Sequence, residues 1–184
     1  MRKIIVFTNI SLDGYFEGPD HDLSGFNHDF EAFPGEPGQE VDALLFGHRT
    51  YEGMKFWATP QAVEFMPEVA RFMNETHKYI ASRQTFDPGW INVTILSGDI
   101  PGQVRKLKEQ PGKNIMIFGS NELVISLLAE GLVDEFQLVV NPVALSAGTP
   151  LFMGLPAKVD FTLKSSQTFK SGAVMLVLEP VNKS

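Results

Sequence analysis

Short apolar runs rich in β-branched residues alternate along the chain with segments whose apolar residues recur at helical spacing. This alternation is typical of an α/β protein built from strand–helix–strand crossover units. The pattern predicts eight strands, at Lys3–Ile10, Ala43–Gly47, Lys78–Ser82, Val93–Leu96, Ile115–Phe118, Glu135–Asn141, Asp160–Phe169 and Ala173–Glu179. The first five are apolar enough for parallel strands buried on both faces, so we expect them to form the centre of the sheet.

The last two predicted strands are separated only by Lys170-Ser171-Gly172. Such a short connection suits a β-hairpin, because its glycine can take up a positive φ. Among the helices, Glu122–Leu132 has the clearest apolar stripe. Weaker patterns predict helices at His28–Phe33, Thr50–Phe56, Pro60–Asn74 and Gly102–Glu109.

Composition narrows the classes of function. The 184 residues, 43% hydrophobic and 20% charged, fit one globular domain over residues 1–184. A formal net charge of −7 repels phosphate backbones and anionic lipids, so neither nucleic acid nor membrane is an expected partner. The chain has no cysteine, and its N-terminal apolar run, Ile4–Phe7, is shorter than a signal peptide needs. We therefore expect a cytoplasmic protein.

Two predicted strands are each followed by a glycine and then by a helical pattern. The first turn contains Gly47, His48, Arg49 and Thr50, and the second contains Gly119, Ser120, Asn121 and Glu122. The start of a helix offers free N–H groups and a partial positive charge, and a glycine there lets a phosphate approach the backbone. Two such turns at neighbouring strand ends would suit a dinucleotide pyrophosphate. The alternative is that each glycine only allows the chain to turn.

A third predicted strand ends in Ser82, followed by Arg83. A hydroxyl and a guanidinium together suit the 2′-phosphate of NADP better than the ribose diol of NAD. The alternative is an ordinary surface arginine. The Asp20-His21-Asp22 run has no spacing that fixes a coordination geometry, so no metal site is predicted.

Five segments occur in the order found in the dihydrofolate-reductase-like superfamily. They are Ser11-Leu12-Asp13-Gly14, Gly47–Glu52, Ser82-Arg83, Gly119-Ser120 and the stretch from Asp134 to Phe152. Within that superfamily the chain most resembles proteins related to the reductase domain of riboflavin biosynthesis, the RibD C-terminal domain type. The resemblance extends from about Lys3 to Glu179.

This resemblance implies a single-domain, three-layer α/β fold, with a mixed and mostly parallel sheet of about eight strands, an antiparallel C-terminal hairpin and helices on both faces. It also implies an NADPH-dependent reductase that transfers a hydride to a nitrogen heterocycle, most like 5-amino-6-(5-phosphoribosylamino)uracil reductase. The alternatives are a dihydrofolate or pteridine reductase and a non-catalytic dinucleotide-binding protein. A homodimer is implied as well.

The same resemblance implies roles for individual residues. Gly47, Arg49 and Thr50 would lie beside the cofactor phosphates, Ser82 and Arg83 near the 2′-phosphate, and Gly119 and Ser120 at the pyrophosphate. The Ser11–Phe16 loop would close over the nicotinamide. Two departures bear on function: the family's usual Gly-Gly is Gly119-Ser120 here, and the Asp-Asp-Pro segment of the riboflavin reductases is absent, which leaves the substrate open.

The expected proton donor is a carboxyl group. By likeness to dihydrofolate reductases, Asp29 is the candidate, and Asp13 is the second choice. A carboxyl half-buried among phenylalanines would have its charged form disfavoured, which prepares it to hold a proton. The alternative is a solvated surface acid. Four aromatic residues are expected either to flank a planar substrate ring or to be ordinary core, namely Tyr15, Phe16, Phe26 and Trp57.

Overall fold

The computed structural model describes residues 1–26 and 40–181. Within these ranges the strands are β1 (Ile4–Ile10), β2 (Tyr15–Glu17), β3 (Val41–Gly47), β4 (His77–Ala81), β5 (Val93–Leu96), β6 (Asn114–Phe118), β7 (Glu135–Val140), β8 (Thr149–Pro150), β9 (Phe161–Thr168) and β10 (Val174–Pro180). The α-helices are α1 (His48–Met54), α2 (Pro60–Phe65), α3 (Pro67–Glu75), α4 (Ile100–Glu109) and α5 (Asn121–Ala129).

Eight of the strands form one sheet in the order β5-β4-β3-β6-β1-β7-β10-β9. Every neighbouring pair is parallel except those made by β10, which runs antiparallel to both β7 and β9. The mixed, mostly parallel sheet and its antiparallel C-terminal hairpin are therefore confirmed. A separate antiparallel pair, β2 with β8, was not predicted, because strands of three and two residues are too short to show an alternating pattern.

Side chains of the central strands point alternately into two apolar cores, as the pleat of a strand requires. Ile5 and Phe7 pack on one face of the sheet, with Tyr51 of α1 and Met73 of α3. Residues of alternate register, such as Val6, pack on the other face with side chains of α4 and α5. The central strands are thus covered on both faces, and helices lie on both faces of the sheet, as predicted. It holds the carboxyl ends of β1, β3 and β6 side by side at one edge.

The segment predicted as one helix over Pro60–Asn74 is two helices. Met66, between α2 and α3, has φ −146° and ψ 81°, outside the helical region. Pro67 disfavours a helical conformation for the residue before it, which is why the helix is interrupted there. The prediction that β5 is buried on both faces was also wrong, because β5 is an edge strand and is only partly covered.

The predicted helix at His28–Phe33 lies outside the described residues. Within residues 1–26 and 40–181, none of the helices has the length and apolar character needed to cross a membrane.

Lys78 of β4 is fully buried, and its side chain caps the C-terminal end of α3. Its Nζ donates hydrogen bonds to the carbonyl oxygens of Met73 and Thr76 at 2.7 Å each and of Asn74 at 3.3 Å. It also lies 4.5 Å from the ring centroid of Trp90. Burial lowers the pKa of Lys78 to about 8. These bonds satisfy carbonyls that a helix C-terminus otherwise leaves without intrahelical partners.

We expect Lys78→Met to lower the free energy of unfolding by about 2–4 kcal/mol, because it leaves buried carbonyl groups without donors. Urea unfolding near neutral pH measures the change. Lys106→Met on α4 is the matched control, since Lys106 is exposed. Equal unfolding free energies for the two variants would show that the Lys78 bonds contribute nothing net.

Candidate active site

A cleft of about 500 Å³ opens at the edge where β1, β3 and β6 end. Its walls are largely apolar. The aromatic lining residues are Phe7, Phe16, Phe26, Trp57 and Phe118. Polar groups reach it from the strand ends and from the turns that follow them, including Asn9, Thr50 and Ser120. An apolar cleft with a few polar groups is the usual form of a small-molecule site.

The two predicted glycine turns meet at this cleft, because β3 and β6 are adjacent parallel strands. Ser120 joins them directly. Its Oγ accepts a hydrogen bond from the backbone N–H of Gly47 at 2.8 Å and donates one to Oγ1 of Thr50 at 2.8 Å. The residue that departs from the family's Gly-Gly pair therefore links one turn to the other.

Backbone geometry explains the glycines at both turns. Gly119 has φ +61° and Ser120 has φ +64°, so two successive residues lie in the left-handed region that glycine favours. A Cβ at Gly119 would be in ordinary van der Waals contact with Thr50 at 3.8 Å, and Gly119 itself lines the cleft. At Gly47 a Cβ would lie 2.8 Å from Oγ of Ser120, so the Ser120 link requires a glycine there.

The Ser120 link predicts an order of stability. We expect Ser120→Ala to lower the free energy of unfolding by about 1–3 kcal/mol, because the Gly47 N–H loses its acceptor while the left-handed strain remains. Ser120→Gly loses the same bonds but relieves roughly 1 kcal/mol of left-handed backbone strain. Its free energy of unfolding should therefore fall by less than that of Ser120→Ala. Thermal or urea unfolding of both variants measures the difference. A glycine variant less stable than the alanine variant would contradict this interpretation.

Ser82 and Arg83 follow β4, the strand beside β3. Oγ of Ser82 donates to the carbonyl of Gln84 at 2.8 Å and lies 3.4 Å from Nδ1 of His48. The His48 ring stacks on Phe86, with the ring centroids 4.2 Å apart and the planes 10° apart. The Arg83 side chain is exposed, and no described residue pairs with it. Ser82 thus contacts the stacked His48 ring at the end of β4, and the exposed Arg83 follows it in the chain.

A buried carboxylate that the sequence pattern did not single out, Glu17, also lines the cleft. Its side chain is 6% exposed. Oε1 accepts hydrogen bonds from Nη2 of Arg49 at 3.1 Å and from Oγ1 of Thr149 at 2.8 Å, and it lies 2.9 Å from Nδ1 of His21. Glu17 ends β2, which is too short to be visible in the sequence pattern. Arg49, predicted beside cofactor phosphates, is therefore paired with a carboxylate.

Asp13 anchors a loop. Its carboxylate accepts hydrogen bonds from Oγ of Ser11 at 2.6 Å and from the backbone N–H groups of Ser146 at 2.8 Å and Leu145 at 3.1 Å. These bonds, that from Ser11 above all, lower the pKa of Asp13 to about 2. These bonds favour the ionised carboxylate over the protonated form that a proton donor needs, and Asp13 does not line the cleft. It ties the Ser11–Phe16 loop to the turn after β7.

The structure brings some of the predicted site residues to the cleft and leaves others away from it. Those that line it are Phe16, Phe26, Arg49, Thr50, Trp57, Gly119 and Ser120. Those outside its lining are Asp13, Tyr15, Gly47, His48, Ser82, Arg83, Asn121 and Glu122. The Asn121 carboxamide donates to the carbonyls of Leu151 and Pro150, and Glu122 is exposed on the first turn of α5. Asp29 lies outside the described residues.

Known proteins resemble this chain in both sequence and fold. Protein YyaP of Bacillus subtilis, an uncharacterized protein, is 28% identical over 177 residues, which are 96% of this chain and 94% of YyaP. A Thermotoga maritima deaminase and 5-amino-6-(5-phosphoribosylamino)uracil reductase superposes with a TM-score of 0.69 at 14% identity, over 98% of this chain and 57% of that protein.

Enterococcus faecalis dihydrofolate reductase, solved in complex with NADP(H) and RAB-propyl, superposes with a TM-score of 0.67 at 10% identity. The match covers 98% of this chain and 97% of the reductase, so the dihydrofolate-reductase-like fold is confirmed. In sequence, the RibD C-terminal domain matches residues 2–175, almost the whole chain. The protein belongs to the RibD C-terminal domain family.

Proposed function

We propose that the protein is an NADPH-dependent reductase that transfers a hydride to a nitrogen heterocycle. The observation that carries this proposal is the pair of turns after β3 and β6, joined through Ser120, at the mouth of an aromatic cleft. The proposal is supported by membership of the RibD C-terminal domain family. It is also supported by the fold shared with a uracil reductase and a dihydrofolate reductase.

The cofactor end of the proposed site is built from backbone and one cation. Gly119 lines the cleft just before the first turn of α5, whose N–H groups lack intrahelical acceptors and attract anions. These groups fit a pyrophosphate. Arg83, exposed and unpaired among the described residues, fits the 2′-phosphate, with Ser82 beside it. NADPH, when bound, supplies the hydride.

The substrate end is aromatic. Phe16, Phe26 and Trp57 offer ring surfaces against which a planar heterocycle can pack, and they exclude water from the reacting region. Asn9 and Thr8 at the end of β1 provide polar groups to fix its orientation. The anchored Ser11–Phe16 loop ends at Phe16, so Asp13 acts by positioning this wall. Asp29 stays the predicted proton donor.

Mixing the protein with NADPH and following the reduced-nicotinamide absorbance tests the proposal. Dihydrofolate and the riboflavin-pathway pyrimidine are added separately, because the two compounds correspond to the two reductase alternatives. We expect oxidation of NADPH with a heterocycle of one of these classes. NADPH that binds but is oxidised with neither compound, nor with a wider set of pterins and pyrimidines, would favour a non-catalytic dinucleotide-binding protein.

A further inference from the structure

The described lining of the cleft contains one basic and one acidic side chain, and these two are paired. Among the described lining residues, Arg49 is the one lysine or arginine and Glu17 is the one carboxylate. The two are paired at 3.1 Å. Apart from His21, the formal charges of the described lining residues therefore cancel.

Arg49 cannot move to bind a ligand phosphate without weakening its ion pair with Glu17. Its partner Glu17 is the more buried of the two, with a side chain 6% exposed against 59% for Arg49. A phosphate that recruited Arg49 would leave a buried carboxylate without its cation, which is costly. The same carboxylate would repel the phosphate directly, and repulsion of this kind is a common source of specificity.

The positive end of α5 is the other attractive feature for an anion at the cleft, and the proposed function assigns it to the cofactor. A phosphorylated substrate would then bring a second anion to a cleft whose remaining cation is already neutralised. A substrate without phosphate meets no such penalty. Among residues 1–26 and 40–181, the one hydrogen-bond partner of Glu17 Oε2 is Nη2 of Arg49 at 3.4 Å, so this oxygen keeps capacity to accept a hydrogen bond from a ring N–H.

We propose that the heterocycle this protein reduces carries no phosphate group, and that Glu17 is the residue that sets this preference. The inference rests on the proposed function, because it concerns the substrate of that reductase. It separates this chain from reductases whose substrate is a ribose phosphate. Replacing Glu17 with glutamine leaves the Arg49 charge without a carboxylate partner among the described lining residues.

Calorimetric binding of a matched pair of pteridines, without NADPH, tests this inference. The probes are dihydroneopterin and its monophosphate ester, which share the ring and differ in the phosphate. We expect the wild-type protein to bind the unphosphorylated compound at least about tenfold more tightly, a difference of about 1.4 kcal/mol. In Glu17→Gln the ratio should fall below about threefold or reverse.

Glu64→Gln is the matched control, because Glu64 is exposed on α2 and the substitution changes the net charge equally. It should keep the wild-type ratio. Thermal unfolding of Glu17→Gln checks that the variant is folded. For the wild type, tighter or equal binding of the monophosphate would overturn the inference, as would binding of neither compound. If folded Glu17→Gln kept the wild-type ratio of the two affinities, Glu17 would not be the residue that sets the preference.

A separate NADPH titration distinguishes this failure from failure of the proposed function. A protein that binds NADPH but prefers the monophosphate loses only the inference. A protein that prefers the unphosphorylated pteridine but binds no nicotinamide nucleotide keeps its charge selectivity and loses the reductase proposal.

Discussion

Arg83→Glu should weaken NADPH binding about 100-fold while changing NADH binding less than about threefold. The guanidinium is exposed and has no partner among the described residues, so its replacement leaves no buried group unsatisfied. The substitution removes a charge-assisted hydrogen bond and adds repulsion next to a dianionic phosphate that NADH lacks. The two nucleotides differ only at that phosphate, so their ratio reports on it.

Titration of both nucleotides into wild type and variant measures the effect. Arg71→Glu is the control for long-range charge, because Arg71 is also exposed but pairs with Glu68 on α3. It should leave the NADPH to NADH ratio unchanged. Equal losses for both nucleotides in Arg83→Glu would remove Arg83 from the 2′-phosphate site.

Gly119→Ala should reduce NADPH affinity by about 30-fold or more, a loss of about 2 kcal/mol of binding free energy. The added methyl group would stand at the start of α5, where the proposed pyrophosphate must approach the backbone N–H groups. The fold has room for it, because the nearest atoms are those of Thr50 at 3.8 Å. The cost to the fold is the left-handed backbone at φ +61°, roughly 1 kcal/mol.

Gly154→Ala is the control that separates the cost of a left-handed backbone from steric obstruction of the cofactor. Gly154 has φ +85°, a Cβ there would meet nothing within 4 Å, and it does not line the cleft. Both variants should lose similar unfolding free energy, but only Gly119→Ala should lose NADPH. Normal NADPH binding by Gly119→Ala would show that the phosphates do not pass over this turn.

The strands of the main sheet could be predicted because their signal is local. A central strand such as β6 is a continuous apolar run that ends at a glycine, and both features are visible in one short window. Helix boundaries were less accurate where one residue decides them. Pro67 interrupts a helical pattern that otherwise continues from Pro60 to Asn74, and Pro101 lies in the first turn of α4, which begins two residues before the predicted start.

The site was only partly predictable because its key contacts join distant parts of the chain. Ser120 meets Gly47 across 73 positions, and Glu17 meets Arg49 across 32. Neither contact leaves a spacing signature. Asp13 was chosen by residue type, yet its three hydrogen-bond donors suppress the protonated form that the role requires. The homodimer stays a prediction, which sedimentation of the protein at several concentrations would test.

Calorimetric titration of NADPH into the wild-type protein examines the dinucleotide site itself. We expect one NADPH per chain, bound at least about tenfold more tightly than NADH, since Arg83 is exposed and pairs with none of residues 1–26 and 40–181. Absence of heat with both nucleotides, confirmed by unchanged thermal unfolding at saturating concentrations, would contradict the assignment of the joined turns and the cleft to a nicotinamide cofactor.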